Sequence, residues 1–150
     1  MDDAIKDKIL RLLDAHRILT LATLRPDGWP QATTVGYASE GLMLYFLCGP
    51  ESQKAANLAH DDRVSLTIDH DTEQVMQIEG LSMAAHAVPV TDSAEVVRIL
   101  GLLAQKYPPQ QAMPGPMPGP EAVRVFKLLP KVISVLDYSK GFAHTDLVTL

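Results

Sequence analysis

Cysteine is almost missing from this chain of 150 residues: Cys48 stands alone, so no internal disulfide can form and packing must hold the fold. The opening Met1–Lys6 has no apolar signal core behind a basic start, and the cytoplasm is the expected compartment. No apolar run approaches the roughly 18 to 20 residues that span a bilayer, so a soluble protein without a membrane partner is expected. Lysine and arginine are not clustered, and the formal charge is −5. A general nucleic-acid surface is thereby excluded, and any anion site has to be local. There is no internal repeat and no hydrolase nucleophile elbow. What remains is one domain over residues 1–150, 47% hydrophobic and large enough for a substantial core.

Ile5, Ile9, Leu12 and Leu13 follow helical spacing behind Asp2 and Asp3, which predicts an amphipathic helix ending near His16. Ile18–Thr23 is a strand by content. Arg25-Pro-Asp-Gly28 is a turn, and Gln31–Ala38 is the return strand, closed by Ser39-Glu-Gly41. Leu42–Leu47 is apolar throughout, as in a central strand, giving three strands in meander order. A short helix runs through Leu58 toward His60-Asp-Asp62, Arg63–Ile68 makes a fourth strand, and Asp69–Thr72 turns into a long fifth over Glu73–Ala87. Gly80 marks a bulge or bend within it.

Val96, Leu100, Leu103 and Ala104 share a face, and Asp92 with Glu95 resembles a capping box, so a second long helix is expected over Ser93–Lys106. Residues 108–120 carry too many prolines for helix or central strand and form a loop. That loop is a plain connection, or a cover for a cleft that uses Met113 and Met117. Val123–Leu128 and Val132–Asp137 are strand segments broken at Pro130, and Tyr138–His144 is a tail. About six strands in hairpin succession indicate a small antiparallel barrel of mainly β, α+β class with flanking helices.

The stretch Cys48-Gly-Pro-Glu-Ser-Gln-Lys-Ala-Ala-Asn-Leu58 joins a strand to a helix. Free amides at a helix start, with a hydroxyl at Ser52 and an ammonium at Lys54, suit a phosphate. A lysine in that place is ordinarily a solvated charge, so the flanking pattern decides. Together with the Asp-Gly-Trp-Pro turn, the Gln74–Gly80 strand and the Lys-Val-Ile-Ser-Val-Leu-Asp-Tyr strand, this stretch resembles the pyridoxamine 5′-phosphate oxidase-like family of FMN-binding split barrels.

The resemblance implies a six-stranded antiparallel split barrel with FMN in a cleft between two subunits of a homodimer. It implies phosphate held by the segment Ser52, Gln53 and Lys54, an isoalloxazine ring along Thr33, Thr34 and Val35, and Leu47 and Cys48 near the ribityl chain. Gln74 would reach the flavin from the partner subunit. An FMN-dependent oxidoreductase acting on a small molecule follows, with NADH or NADPH as a donor. Gln53 replaces the arginine of relatives, Gln31–Thr34 has no basic residue, and residues 144–150 lack an Arg-x-His tip. These departures argue against turnover of pyridoxamine phosphate. The alternatives are a haem-binding or haem-degrading protein on the same barrel, a deazaflavin in place of FMN, and a flavin-binding module without turnover.

On their own, Thr33 and Thr34 are ordinary β-branched strand residues and Gln74 an exposed strand start. Cys48 is a small buried residue, since no cationic neighbour in sequence activates it. Asp69-His70-Asp71 suggests metal ligands, yet strand alternation sets His70 opposite both aspartates, and no spaced second histidine completes a set. No metal is expected. His16, His60, His86 and His144 are scattered, and only His144, in the tail, has a route to the flavin pocket. No catalytic acid or base is assigned.

Overall fold

The computed structural model describes residues 1–108 and 118–150. It contains three helices, α1 (Asp3–Ala15), α2 (Gln53–His60) and α3 (Ser93–Gln105). The strands are β1 (Ile18–Leu24), β2 (Pro30–Gly36), β3 (Ala38–Glu40), β4 (Met43–Cys48), β5 (Arg63–Asp69), β6 (Glu79–Val90), β7 (Arg124–Asp137) and β8 (Thr145–Thr149). They form one antiparallel sheet in the order β2-β1-β5-β6-β7-β4-β3, with β8 beside β7. The sheet curls into a half-barrel around Leu21, Leu66, Met83, Leu128 and Ile133, each at most 2% exposed.

Each helix start has its own reason. Asp2 caps α1 by accepting from the Ala4 amide at 2.7 Å, and Asp92 caps α3 by accepting from the Glu95 amide at 3.0 Å. Ile9, Leu12 and Leu13 of α1 enter the barrel core, each worth about 1.5–3 kcal/mol of burial. Val96, Ile99 and Leu100 of α3 cover the outer face of β4 and β7 at Tyr45 and Val125. Ile99 takes the place in that face expected of Ala104, which is exposed.

The structure corrects the expected strands in several places. Eight strands replace six. The meander breaks after β2: Gly36 and Tyr37 end that strand, and the chain crosses to the opposite edge of the sheet, where Ala38–Glu40 pairs with Met43–Tyr45 around Gly41 (φ +57°). Tyr37 anchors the crossing, buried, with its hydroxyl donating to the Leu13 carbonyl at 2.6 Å. The long strand begins at Glu79 rather than Glu73, because Gln74 leads into a 3-10 turn at Val75–Gln77.

Gly80 is no bulge. It keeps regular register with Asp69 and Leu136, and a Cβ there would sit 2.7 Å from the Ile68 carbonyl oxygen, so glycine permits close backbone approach. The irregularity falls at Ala84/Ala85, opposite Pro130 and Val132 of β7. Lys131 is the extra residue there, so the proline sits at a bulge where its missing donor is tolerated, and the two expected segments are one strand. The tail continues past a 3-10 turn at Tyr138–Lys140 into β8, paired with Val132–Leu136. Most of the proline-rich loop, with Met113 and Met117, lies outside the described residues. Among those described, no helix is long and apolar enough to cross a membrane.

Candidate functional site

Strand β4 ends at Cys48, and Gly49–Ser52 turns the chain into α2. Ser52 is the N-cap: its hydroxyl accepts from the Ala55 amide at 3.1 Å and donates to the Gly49 carbonyl at 2.7 Å. A cap of this kind stabilises by about 1 kcal/mol. It also commits the hydroxyl's one proton, so the part Ser52 plays here is to fix the helix end. The Gln53 and Lys54 amides are the first two of α2, and among the described residues neither has a partner in the chain. Lys54 is half-buried and joins no ion pair among the described residues. At the other end of α2, the Arg63 guanidinium holds the Asp61 carboxyl well below the usual carboxylate range.

A buried polar cluster places α2 on the barrel. Asn57, fully buried, donates from Nδ2 to Thr23 Oγ1 at 2.9 Å and to Gln31 Oε1 at 3.1 Å. Gln53 donates from Nε2 to Asn57 Oδ1 at 2.8 Å, one helical turn further along α2. Thus Gln53, itself exposed, is tied through Asn57 to β1 and β2. The contacts of Asn57 with Thr23 and Gln31 were not expected from sequence, because α2, β1 and β2 are far apart along the chain.

The expected residues fall into three groups. Ser52, Gln53 and Lys54 gather at the α2 start, with Cys48 just before them. On β2, Gln31, Thr33 and Val35 face inward while Thr34 is exposed. Thr33 Oγ1 is buried with no hydrogen-bond partner. Val35 and Cys48 belong to the barrel core, whereas Leu47 lies on the other face of β4 beneath α3. Gln74 is exposed in the β5–β6 connection, at the opposite end of β5 from α2. Within one chain it is separated from α2 by a seven-residue strand, roughly 23 Å long.

Among the described residues, strand β2 pairs only with β1. Alternate backbone N–H and C=O groups along its outer edge are therefore open to a ligand. A cavity of about 460 Å³ borders the α2 start, lined among others by Ser52, Ala55, Thr91, Phe126 and Arg124. Arg124 is the cation that sequence reasoning missed. It comes to α2 because β7 pairs with β4 so that Arg124 opposes Cys48, and no local motif announces that. A second cavity of about 460 Å³ lies over Ala22, Ser65 and Ala84, edged by Arg63, His86 and Lys131. His144 lies instead beside Asp146, at 3.1 Å.

A family model described as pyridoxamine 5′-phosphate oxidase matches residues 5–135. General stress protein 26 of Bacillus subtilis (strain 168) is 30% identical over 69 residues, which cover 46% of this chain and 49% of that protein. The chain thus spans about half the length of that curated relative. Among solved structures, the conserved hypothetical protein Rv2991 from Mycobacterium tuberculosis is similar with a TM-score of 0.76 at 25% identity, over 97% of this chain and 91% of that one. HutZ, the heme storage protein from Vibrio cholerae, is similar in fold with a TM-score of 0.66 at 16% identity, over 96% and 93% of the two chains.

Proposed function

The chain belongs to the pyridoxamine 5′-phosphate oxidase family, and from that membership we propose that it binds FMN and works as an FMN-dependent oxidoreductase on a small molecule. The α2 start carries this reading. Two amides and a Lys54 ammonium that have no partner among the described residues converge there with the helix dipole on a place for a phosphate. The open edge of β2, running from Pro30 to Gly36, offers backbone donors and acceptors to the polar rim of a flat ring. Thr33 adds a hydroxyl in need of a partner. The residues therefore fit the group.

When bound, FMN would supply the capacity to take up and pass on a hydride or electrons. The chain's part is to hold and orient. Lys54 and the Gln53 and Lys54 amides neutralise the phosphate, and Asn57 keeps α2 at a fixed distance from β2. Gln53 brings no charge where the family resemblance implies arginine, and Arg124, which lines the same cavity as Ser52, offers a guanidinium in its place. Gln74 lies too far from α2 to serve the same flavin, so its role belongs to a second copy. The neighbouring Val75 and Met76, 55% and 45% exposed, and Phe142, 75% exposed, give that end of the barrel an apolar surface for it. The proposed assembly is a homodimer.

The test is a fluorescence titration of FMN. Lys54→Ala removes a charge-assisted hydrogen bond of about 1.5–3 kcal/mol, an expected loss of roughly ten- to a hundredfold in affinity. Equal affinity would refute the phosphate seat. The spectrum of freshly purified protein separates flavin from haem by its Soret band. Anaerobic titration with NADH or NADPH then distinguishes an enzyme from a flavin-binding module.

A further inference from the structure

The two histidines that sequence reading kept apart meet in space. His16 is the C-cap residue of α1, and His70 follows the last residue of β5. Their rings lie nearly parallel, with centroids 5.3 Å apart and an interplanar angle of 23°. The Nε2 atom of His16 is 3.2 Å from the Nδ1 atom of His70. Because His70 stands in the loop after β5, strand alternation does not govern its direction, and the partner absent from its own segment comes from the end of α1.

A second contact fixes the chemistry of this pair. His16 Nδ1 lies 2.8 Å from the Leu12 carbonyl oxygen. A carbonyl only accepts, so Nδ1 carries the ring proton and Nε2 presents a lone pair toward His70. Metal-binding histidines are commonly held in this way, with the far nitrogen tied to a carbonyl so that the near one is aimed and more basic.

The spacing suits a shared ion. Two nitrogens each about 2.0–2.1 Å from one tetrahedral zinc lie about 3.3 Å apart, close to the distance found here. Nearby cations are occupied with the backbone: Arg17 Nε donates to the Lys106 carbonyl at 2.7 Å, and Lys106 Nζ donates to the Leu13 and His16 carbonyls at 3.0 and 2.7 Å. Asp69 and Asp71, both exposed, flank His70 in sequence and add negative charge to its surroundings.

We propose that His16 and His70 form a two-imidazole site for a divalent transition-metal ion of borderline softness, such as Zn²⁺, at the junction of α1 with the β5–β6 connection. The described residues hold no group of three or more His, Cys, Asp or Glu suited to a metal, so water fills the remaining positions and the ion exchanges readily. Binding would tie the end of α1 to the loop after β5. Nothing in this site depends on a flavin.

The experiment is calorimetric titration of ZnCl₂ into tag-free, full-length protein stripped with chelator and dialysed, near neutral pH. One ion per chain is expected, with affinity falling about tenfold or more in His16→Ala and in His70→Ala. The second variant lies at an exposed loop position and keeps the assay decisive if the first disturbs α1. No heat of binding in the wild type, or an unchanged isotherm in His70→Ala, would overturn the site and leave an N–H···N hydrogen bond between the two rings.

Discussion

Replacing Asn57 by leucine tests the joint between α2 and the barrel. The leucine matches the asparagine in size but neither donates nor accepts, so three hydrogen bonds go together: to Thr23, to Gln31 and from Gln53. At about 0.5–1.5 kcal/mol each, the direct loss is about 1.5–4.5 kcal/mol. The groups left behind differ in their recourse. Gln53 is exposed and half-buried Gln31 has a route to water, whereas Thr23, 2% exposed, does not. Its stranded hydroxyl puts the total in the upper half of that range, about 3–4 kcal/mol. Since net stabilities of single domains are about 5–15 kcal/mol, such a loss is large without abolishing the fold. Urea denaturation followed by far-UV circular dichroism should show the midpoint falling by about 1–4 M at unchanged slope, for a slope of about 1–3 kcal/mol/M. Thr23→Val alone should lose about 1 kcal/mol, and the double variant less than the sum, because both substitutions delete the same bond. A loss below about 0.5 kcal/mol for Asn57→Leu, or strict additivity with Thr23→Val, would refute the view that this cluster holds α2 in place.

Asp137 is buried, accepts from Lys8 and from Ser139, and has its carboxyl pulled down to about 2, first by the Lys8 hydrogen bond. A depressed folded value means stability that is present above the ordinary carboxylate range and lost as pH falls from about 4 toward 2. Wild type should therefore exceed Asp137→Asn by up to about 2 kcal/mol at neutral pH, and acid titration of the two should show the gap closing across that window; a gap independent of pH refutes the linkage. Gly80→Ala drives a Cβ against the Ile68 carbonyl oxygen, so a loss of about 1–3 kcal/mol is expected in thermal melts, and wild-type stability would show that β5 can shift. Tyr37→Phe removes a donor from the Leu13 carbonyl, but Lys106 also donates to that oxygen. The loss should stay near about 1 kcal/mol by urea denaturation, rising in the Tyr37→Phe/Lys106→Met double variant by more than the sum.

What was legible in the chain is what is local. Asp2, Ser52 and Asp92 announce their helices because a cap acts within three residues, and Arg25–Gly28 announces its turn because the Gly28 amide closes it onto the Arg25 carbonyl at 2.9 Å. The α2 start was legible for the same reason: Ser52, Gln53 and Lys54 are consecutive. Strand β8 was not, since Thr145–Thr149 buries only Val148 and leaves Leu147 68% exposed, and its place is set by backbone pairing with β7 rather than by an apolar pattern. Pro130 misled because a bulge supplied by Lys131 absorbs the donor that a regular ladder would have demanded.

The chemistry that escaped the sequence is the chemistry that register creates. Arg124 stands beside the α2 start only because β7 meets β4 with Arg124 opposite Cys48 and Phe126 opposite Phe46. A slip of one residue would carry Arg124 to the α3 side of the sheet and bring Val125 and Lys127 into the core face, so the packing of Phe46 against Phe126, 5.4 Å between centroids, fixes the position of a charge two residues away. His16 and His70 come together in a similar way, through the seating of α1 on the barrel by Ile9, Leu12 and Leu13. In both places an apolar contact decides where a polar group can act, which is why burial, more than any motif, is the route by which this chain's sequence specifies its remaining sites.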